Sequence, residues 1–345
     1  MNTTHDRLPR LKQWGTIISS VAALALLGFV NFSPWAQENE PESTAIAEPT
    51  AAPPGDVTPL PTPTPTRWQS VRSWAFQLQG LDIDRAASSK FDLIVTDYSA
   101  DGSEQRRHPA DRVARLKTGP NGPRLVVAYL SIGEAETYRY YWRHGWRPGN
   151  PSWLQAENPR WPGNYPVAYW EPQWKAIIFG SPESYLDKII DLGYDGVYLD
   201  IVDAYQHFER DRPSARQEMV QFVQEIAHHA RVTRGKADFG VFPQNGEPLI
   251  DIPGFLEVVT GVGKEETYYG NPRDDVASPP DFTVQTEGFL DRFVAAGKVA
   301  LILDYTQRQE QIADAYTRAR ARGYVPYATV RALNRLVVNR GFDPE

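Results

Sequence analysis

Eight short apolar runs alternate with amphipathic helical patterns along most of the chain, and this alternation limits the possible fold more than any other feature. The runs are rich in Val, Ile and Leu without strict alternation, which is typical of parallel strands buried on both faces. Strands that alternate with helices indicate a parallel sheet whose faces the helices cover. The predicted strands span residues 73–78, 92–97, 124–131, 196–200, 238–243, 256–261, 299–304 and 324–329.

The helical patterns between these runs supply the outer layer. Ser181 followed by Pro182 is a typical first turn, so we predict that a helix begins there. Another helix is predicted over residues 214–232. Its apolar stripe consists of Met219, Phe222, Val223, Ile226 and Ala230.

Eight strands separated by helices predict the α/β class, as a (β/α)8 TIM barrel that forms a single catalytic domain. An open, doubly wound sheet is the alternative. No G-x-G-x-x-G or phosphate-binding loop follows any predicted strand, which disfavours the open sheet as a nucleotide-binding fold.

Residues 1–36 have the pattern of an export segment. Arg7, Arg10 and Lys12 precede an apolar stretch over residues 16–32, as in a signal peptide or an N-terminal membrane anchor. Pro34 occupies the place of a small residue required for cleavage after Ala36, so cleavage stays open. We therefore expect a secreted, periplasmic or membrane-anchored extracytoplasmic protein.

Residues 37–67 are acidic and rich in Pro and Thr, with little to bury, which predicts a disordered linker. The folded domain then occupies residues 68–345, about the size of one barrel. A membrane would be contacted only through the N-terminal segment, if that segment stays uncleaved.

The composition excludes several kinds of chemistry. A net charge of −7 disfavours nucleic acid as a partner. The absence of cysteine excludes disulfides, thiol nucleophiles and Cys-ligated metals. No G-x-S-x-G sequence occurs, which disfavours a Ser/His nucleophile. We expect no cofactor.

Acidic residues follow six consecutive predicted strands. In TIM barrels the reaction takes place where the strands end. Carboxylates crowded there repel each other, which raises some pKa values and supplies the protonated acid and ionised partner of glycosidic cleavage. The exits contain Asp97, Glu134, Glu136, Asp200, Asp203, Glu247, Glu265, Glu266 and Asp304.

The same carboxylates are also suitable ligands for Mg²⁺ or Ca²⁺, which is the competing interpretation of this rim. Zinc is disfavoured because no histidine lies at a strand end, and His207, His228 and His229 fall in predicted helices. The preferred prediction contains no metal.

The long connection over residues 131–180 is rich in aromatic residues. Long loops in compact domains are usually functional, and flat rings stack on sugar rings. We expect most of these rings to pack the loop onto the barrel and two or three to bind sugar. They are Tyr138, Tyr140, Tyr141, Trp142, Trp146, Trp153, Trp161, Tyr165, Tyr169, Trp170 and Trp174.

Long motifs at the strand ends are specific enough to identify a family. They read FDLIVTDYS, VVAYLSIGEAE, GVYLDIVDAY, VFPQNGE, TGVGKEETYYG and VPYAT. They resemble the bacterial branch of glycoside hydrolase family 114, the endo-α-1,4-polygalactosaminidase-like TIM barrels. The resemblance extends from about Trp74 to Phe342, essentially the whole folded domain.

This resemblance implies retaining cleavage of α-1,4-linked galactosamine-containing polysaccharide by two carboxylates. It implies Asp200 in YLDIVD as one of them. Glu265 in GVGKEE is the first choice for the general acid/base, and Glu247 in PQNGE is the second. Residues implied to bind sugar are Asp97, Tyr98, Tyr129, Glu134, Asp203, Gln244, Asn245, Lys264, Asp304 and Tyr305.

An acidic rim also suits the implied substrate, because galactosamine units without acetyl groups carry positive charge. Two alternatives remain open. One is a carbohydrate-binding barrel without catalysis, in a surface or matrix polysaccharide system. The other is a metal-dependent lyase on the same fold.

Overall fold

A computed structural model of the protein describes residues 66–344. The predicted export segment and most of the predicted linker lie outside this part of the chain. Within it, eight parallel strands form the centre of the fold. They are β1 (Trp74–Gln77), β2 (Leu93–Thr96), β3 (Leu125–Ser131), β4 (Gly196–Asp200), β5 (Gly240–Pro243), β6 (Gly261–Glu265), β7 (Val299–Tyr305) and β8 (Val325–Thr329).

The strands follow each other in space in the order of the sequence. One sheet contains β1 to β5 and the other contains β6 to β8, with every neighbouring pair parallel. A parallel bridge between Gln244 and Gly263 joins the two sheets. On the other side, the indole of Trp74 in β1 donates to the carbonyl of Val325 in β8 at 2.9 Å. The arrangement is TIM-barrel-like.

Helices lie between the strands and pack apolar side chains against them. Of the stripe predicted over residues 214–232, Met219, Phe222, Val223 and Ile226 are buried in the helix Ala215–His228, and Ala230 is buried in the π-helical turn His229–Thr233 that follows. In chain order the helices are α1 (Ile83–Ser88), α2 (Ala110–Leu116), α3 (Pro172–Ile178), α4 (Tyr185–Asp191), α5 (Tyr205–Phe208), α6 (Ala215–His228), α7 (Phe255–Val258), α8 (Pro280–Ala295) and α9 (Gln309–Ala321). None of the helices within residues 66–344 is long and apolar enough to span a bilayer.

The strand predicted over residues 256–261 is wrong. Its first half forms α7, and the sixth strand runs from Gly261 to Glu265. The sixth strand reads GVGKE, and close packing explains its second glycine, since a Cβ at Gly263 would lie 1.9 Å from the hydroxyl of Tyr198. The shift places Glu265 inside β6 rather than in the loop after it.

The helix start predicted at Ser181 and Pro182 is also misplaced. Helix α4 begins at Tyr185, and its N-cap is Ser184. The Ser184 hydroxyl donates to the carbonyl of Ala176 at 2.8 Å and also contacts the Ser181 hydroxyl. These contacts hold residues 181–184 in a turn that connects α3 to α4.

Trp68 covers the end of the strands opposite their carboxyl ends. Its ring meets Phe242 edge-on with 5.2 Å between centroids, and it leaves no room for a side chain on Gly240, the first residue of β5. The neighbouring Arg67 donates to Asp195, just before β4, at 2.8 Å. The amino-terminal end of the sheet is thus closed by residues at the start of the described chain.

Candidate active site

A cavity of about 450 Å³ opens at the carboxyl ends of the strands. Its wall includes Trp161 and Asn164 from the long connection after β3, and Leu333 from the segment after β8. Seven of the sequence-predicted site residues line it, and they are Asp97, Tyr129, Glu134, Asp200, Gln244, Glu265 and Tyr305.

Asp200 is the last residue of β4 and lies at the cavity. Its Oδ2 accepts a hydrogen bond from the Tyr129 hydroxyl at 2.6 Å, and its Oδ1 accepts from the backbone N–H of Ile201 at 2.9 Å. Burial raises the pKa of Asp200 to about 8, and the negative charge of Glu265 acts in the same direction. The Tyr129 hydrogen bond opposes this rise.

Glu265 is the last residue of β6, with an exposed fraction of 6%. Its Oε1 accepts a hydrogen bond from the Tyr305 hydroxyl. Its Oε2 accepts from the side-chain amide of Asn245 at 2.9 Å. Donors on both oxygens stabilise the ionised carboxylate.

The ends of β4 and β6 therefore bring two carboxyl groups into one cavity with unequal surroundings. Burial disfavours the charged form of Asp200, so its pKa lies above the ordinary range of a carboxyl group. Glu265 has charge-stabilising donors on both oxygens. Such a pair can supply a proton and a negative charge on the same substrate, which is the requirement for glycosidic cleavage.

Three predicted sugar-binding residues, Asp203 after β4, Asn245 after β5 and Lys264 within β6, are not part of the cavity wall. Lys264 lies 3.1 Å from the Oε1 of Glu247, so that the two charges neutralise each other. Burial raises the pKa of Asp203 to about 7, with Lys264 opposing and Glu247 adding to the rise. Asn245 does not line the cavity, but its side-chain amide donates to Glu265, which does.

The structure also places the two candidates for the second carboxylate in different surroundings. Glu265 lines the cavity that contains Asp200, whereas Glu247 lies outside its wall and is paired with Lys264. This arrangement favours Glu265 as the partner of Asp200.

Asp304 and Tyr98 do not line the cavity either. Asp304 has an exposed fraction of 1%, and its Oδ1 accepts from the backbone N–H groups of Tyr268 and Tyr269 at 2.8 and 2.9 Å. Tyr98 is fully buried, and its ring packs edge-on against Tyr185. Asp304 therefore holds the backbone of the loop after β6, and Tyr98 packs against α4.

A buried ion-pair network that the sequence did not reveal forms one wall of the cavity. Arg139 donates to both oxygens of Asp97, at 2.9 and 2.7 Å, and to the Oε2 of Glu136 at 2.6 Å. Although burial alone would lower the pKa of Arg139, these two carboxylates raise it well above its usual value. The Tyr138 hydroxyl donates to Glu136. The only signal in the sequence was that Arg139 interrupts an aromatic stretch.

Glu134 lies in a short antiparallel ribbon formed by Glu134–Glu136 and Asn164–Pro166. Its carboxylate accepts from the side-chain amides of Asn158 at 2.8 Å and Asn164 at 3.3 Å. Burial raises the pKa of Glu134, and the two amides oppose this rise. The negative charge is thus held at the cavity wall by neutral donors.

Most aromatic side chains of the long connection pack the loop onto the barrel, as expected. Trp146 meets Trp153 edge-on, and Trp153 packs against Trp174, which is fully buried. Two of the rings, Tyr138 and Trp161, line the cavity. These two are the candidates for sugar stacking.

Gln244 follows β5, and its side chain is also part of the cavity wall. Its Oε1 is buried, and no hydrogen-bond partner for it occurs among residues 66–344. A buried amide oxygen without a partner is a suitable acceptor for a ligand hydroxyl or ammonium group. Within the same part of the chain, no group of three or more Asp, Glu or His side chains is arranged to hold a metal ion.

One family model matches most of the chain, and two relatives are similar to it over most of its length. The model of glycoside-hydrolase family GH114 matches residues 57–341. A protein of Deinococcus radiodurans is 36% identical over 322 residues, covering 91% of this chain and 98% of the relative. A protein of Methanocaldococcus jannaschii is 38% identical over 267 residues, covering 74% of both chains.

A solved structure also resembles this chain. The glycoside hydrolase domain of PelA from Pseudomonas aeruginosa has a TM-score of 0.58 and 22% sequence identity, and the match covers 78% of this chain and 98% of that domain. This likeness supports the TIM-barrel-like fold. The family match shows that the chain belongs to glycoside-hydrolase family GH114.

Proposed function

We propose that the protein hydrolyses α-1,4-linked galactosamine-containing polysaccharide with retention of configuration, in a closed (β/α)8 barrel. The observation that carries this proposal is the presence of Asp200 and Glu265 in one cavity, at the ends of β4 and β6. Asp200 acts as the nucleophile and Glu265 as the general acid/base.

In the first step, a carboxylate oxygen of Asp200 attacks the anomeric carbon while Glu265 donates a proton to the departing glycosidic oxygen. This forms a covalent glycosyl–enzyme ester and releases one end of the chain. In the second step, Glu265 takes a proton from water, whose oxygen attacks the anomeric carbon and frees Asp200.

The electrostatics link this mechanism to a cationic substrate. In the empty cavity, burial raises the pKa of Asp200, so that the nucleophile holds a proton. A galactosamine unit carries an ammonium group, and an opposite charge nearby favours the ionised carboxylate. Substrate binding then ionises Asp200, and the single proton of the pair moves from Asp200 to Glu265.

The wall of the cavity is predominantly acidic, which also favours a positively charged sugar chain. Arg139 neutralises Asp97 and Glu136 through direct ion pairs. Glu134 instead accepts from the neutral amides of Asn158 and Asn164, and no cation pairs with it among residues 66–344, so its charge is available to a ligand. We propose Glu134 as a contact for the substrate ammonium group.

The decisive experiment incubates the purified full chain with acetylated and deacetylated amino-sugar polymers and determines product masses. The proposal expects oligomers from a deacetylated galactosamine polymer and retained anomeric configuration in early products by NMR. Asp200→Asn and Glu265→Gln should each abolish turnover while leaving the far-UV circular dichroism spectrum unchanged. Turnover that persists in Asp200→Asn would contradict the mechanism.

The two alternatives give different results in the same assay. Binding of the polymer without any product would favour a carbohydrate-binding barrel. Products with an unsaturated terminal sugar, formed only without chelator, would favour a metal-dependent lyase.

We also propose that residues 1–36 export the protein and that residues 37–67 connect it to the folded domain. The positive charges before the apolar stretch support this proposal. Cell fractionation of the tagged full chain, together with the mass of the mature protein, tests both export and cleavage.

A further inference from the structure

Both oxygens of Glu265 accept hydrogen bonds from neutral donors. The Tyr305 hydroxyl donates to Oε1, and the Asn245 amide donates to Oε2 at 2.9 Å. A single hydrogen bond to Glu265 does not fix the orientation of either donor side chain. A side-chain amide that turned over would present its oxygen to the carboxylate and repel it. Other contacts must therefore fix the orientation of the Asn245 amide and the Tyr305 hydroxyl.

A buried lysine stands behind the amide donor. The Nζ of Lys264 lies 3.3 Å from the Oδ1 of Asn245 and 3.1 Å from the Oε1 of Glu247. The backbone N–H of Glu265 also donates to the Asn245 Oδ1, at 3.2 Å. Because cationic and N–H donors both face Oδ1, the NH₂ group of Asn245 must point at Glu265.

A buried arginine stands behind the hydroxyl donor. The guanidinium carbon of Arg331 lies 4.1 Å from the centre of the Tyr305 ring, and the residue has an exposed fraction of 2%. A cation over an aromatic face is attracted to the ring and strengthens its hydroxyl as a donor. Glu266 and Asp274 hold this guanidinium, the latter at 2.6 Å.

The short sequence Lys264-Glu265-Glu266 contributes to both supports. Lys264 projects toward Glu247, Glu265 lines the cavity, and Glu266 pairs with Arg331. Glu266 has a φ of +60°, an uncommon region for a residue other than glycine. This turn directs its side chain to Arg331 instead of continuing the alternation of β6.

We propose that Lys264 and Arg331 are positioning residues that act through Asn245 and Tyr305 to hold the Glu265 carboxylate in one orientation. Neither cation belongs to the cavity wall. Lys264 therefore serves the acid/base rather than the sugar. This inference rests on the proposed role of Glu265 in hydrolysis.

Two double-mutant cycles on the full chain test the inference. The first combines Lys264→Met with Asn245→Gly, since glycine tolerates the φ of +54° at position 245. The second combines Arg331→Met with Tyr305→Phe. Each single substitution should lower kcat by about tenfold or more with little change in KM, and each double variant should be no slower than its Asn245 or Tyr305 parent.

Charge-conserving variants separate positioning from folding. Lys264→Arg and Arg331→Lys should recover part of the kcat lost in the methionine variants. If a methionine variant does not fold, as shown by thermal unfolding, the same cycle is run with Lys264→Gln or Arg331→Gln.

Arg318→Met is the matched control, because Arg318 lies 4.2 Å from the Tyr268 ring but contacts no residue of the cavity wall in the described chain. It should leave kcat unchanged. Effects that simply multiply in both cycles would overturn the inference while the wild-type enzyme still hydrolyses the polymer. Absence of hydrolysis by the wild type would instead contradict the proposed function.

Discussion

The hydroxyl of Tyr129, in β3, donates to the Oδ2 of Asp200 at the end of the neighbouring strand β4, over 2.6 Å. The same hydroxyl lies 3.5 Å from the Oε1 of Glu136. Tyr129 therefore connects the proposed nucleophile with the buried ion-pair network of Arg139, and the hydrogen bond lowers the pKa of Asp200 against the effect of burial.

The first prediction concerns this hydroxyl. Tyr129→Phe keeps the ring and removes the donor, so we expect kcat to fall by about tenfold to a hundredfold, the usual value of a hydrogen bond to a charged group. The pKa of Asp200 should rise further, which moves the corresponding limb of the pH profile upward. The pH dependence of kcat/KM measures both effects.

Tyr269→Phe is the control for this prediction. It removes a hydroxyl that donates to Asp314 over 2.9 Å, and neither residue lines the cavity. It should retain the wild-type profile. An unchanged limb in Tyr129→Phe would mean that the hydrogen bond does not act on the titrating group.

The second prediction concerns the proton of the catalytic pair. The cleavage step needs Asp200 ionised and the single proton of the pair on Glu265, so kcat/KM should decrease as that proton is lost through a pKa of about 8. In kcat, which reports the substrate complex, this limb should lie lower with a deacetylated polymer, since ammonium groups favour the ionised form. A kcat/KM that increases through pH 8 would contradict a mechanism in which the pair shares one proton.

Azide rescue tests independently which of the two residues is the nucleophile and which is the acid/base. Asp200→Gly with azide should form a glycosyl azide of inverted configuration, because azide replaces the nucleophile. Glu265→Ala should form one of retained configuration, because azide then attacks the glycosyl–enzyme ester. The opposite pair of outcomes would exchange the two roles.

The third prediction concerns selectivity for a cationic sugar. Glu134→Gln removes the charge and retains an acceptor for Asn158, so we expect KM for a deacetylated polymer to rise by about tenfold with little change in kcat. The acetylated polymer should be unaffected. Glu183→Gln, with a highly exposed side chain outside the cavity, is the control.

The pH dependence strengthens this test. Burial raises the pKa of Glu134, so its charge is present only above that raised pKa. Wild type and Glu134→Gln should therefore converge in KM as the pH falls. A difference that persists at acidic pH would indicate a contact that does not depend on the charge.

Seven of the eight strands could be predicted from the sequence, because buried parallel strands are continuous Val/Ile/Leu runs. The sixth could not, because GVGKE contains two glycines and two charges. Its composition is set by contacts distant in the sequence, such as the close approach of Gly263 to Tyr198. The stronger local signal was the apolar run over residues 256–261, whose first half forms α7.

Part of the cavity wall was also predictable from the sequence. Acids that follow strands indicated Asp200 and Glu265, since strand ends meet at one edge of a barrel. The sequence could not separate Glu265 from Glu247, because the choice depends on which side chain faces inward. Arg139 could not be assigned either, since its partner Asp97 is 42 residues away in the chain.

The fourth prediction concerns stability. Burial raises the pKa of Asp304 to about 7, against 3.8 for the ordinary carboxyl group, so the folded state binds this proton more tightly than the unfolded state. The stability that this proton contributes is present at low pH and is lost as the pH rises toward 7. Asp304→Asn retains an oxygen for the N–H groups of Tyr268 and Tyr269 and does not ionise.

From pH 5 to pH 8, the free energy of unfolding should therefore change in favour of Asp304→Asn relative to wild type by about 1–3 kcal/mol. Urea unfolding at the two pH values measures this difference. Asp84→Asn alters an exposed carboxyl group and should show no such change. A constant difference would show that Asp304 is already ionised in the folded protein at pH 5.

The fifth prediction separates the two ends of the barrel. Trp68→Ala removes the ring that covers the amino-terminal end, including its contact with Phe242 and its hydrogen bond to Asp238, and should cost about 3–5 kcal/mol of unfolding free energy. Trp68→Phe should cost less because it keeps an aromatic ring. Since the cavity lies at the opposite strand ends, both variants should keep wild-type kcat below their unfolding temperatures. A loss of kcat in folded Trp68→Phe would show that packing at this end determines the geometry of Asp200 and Glu265.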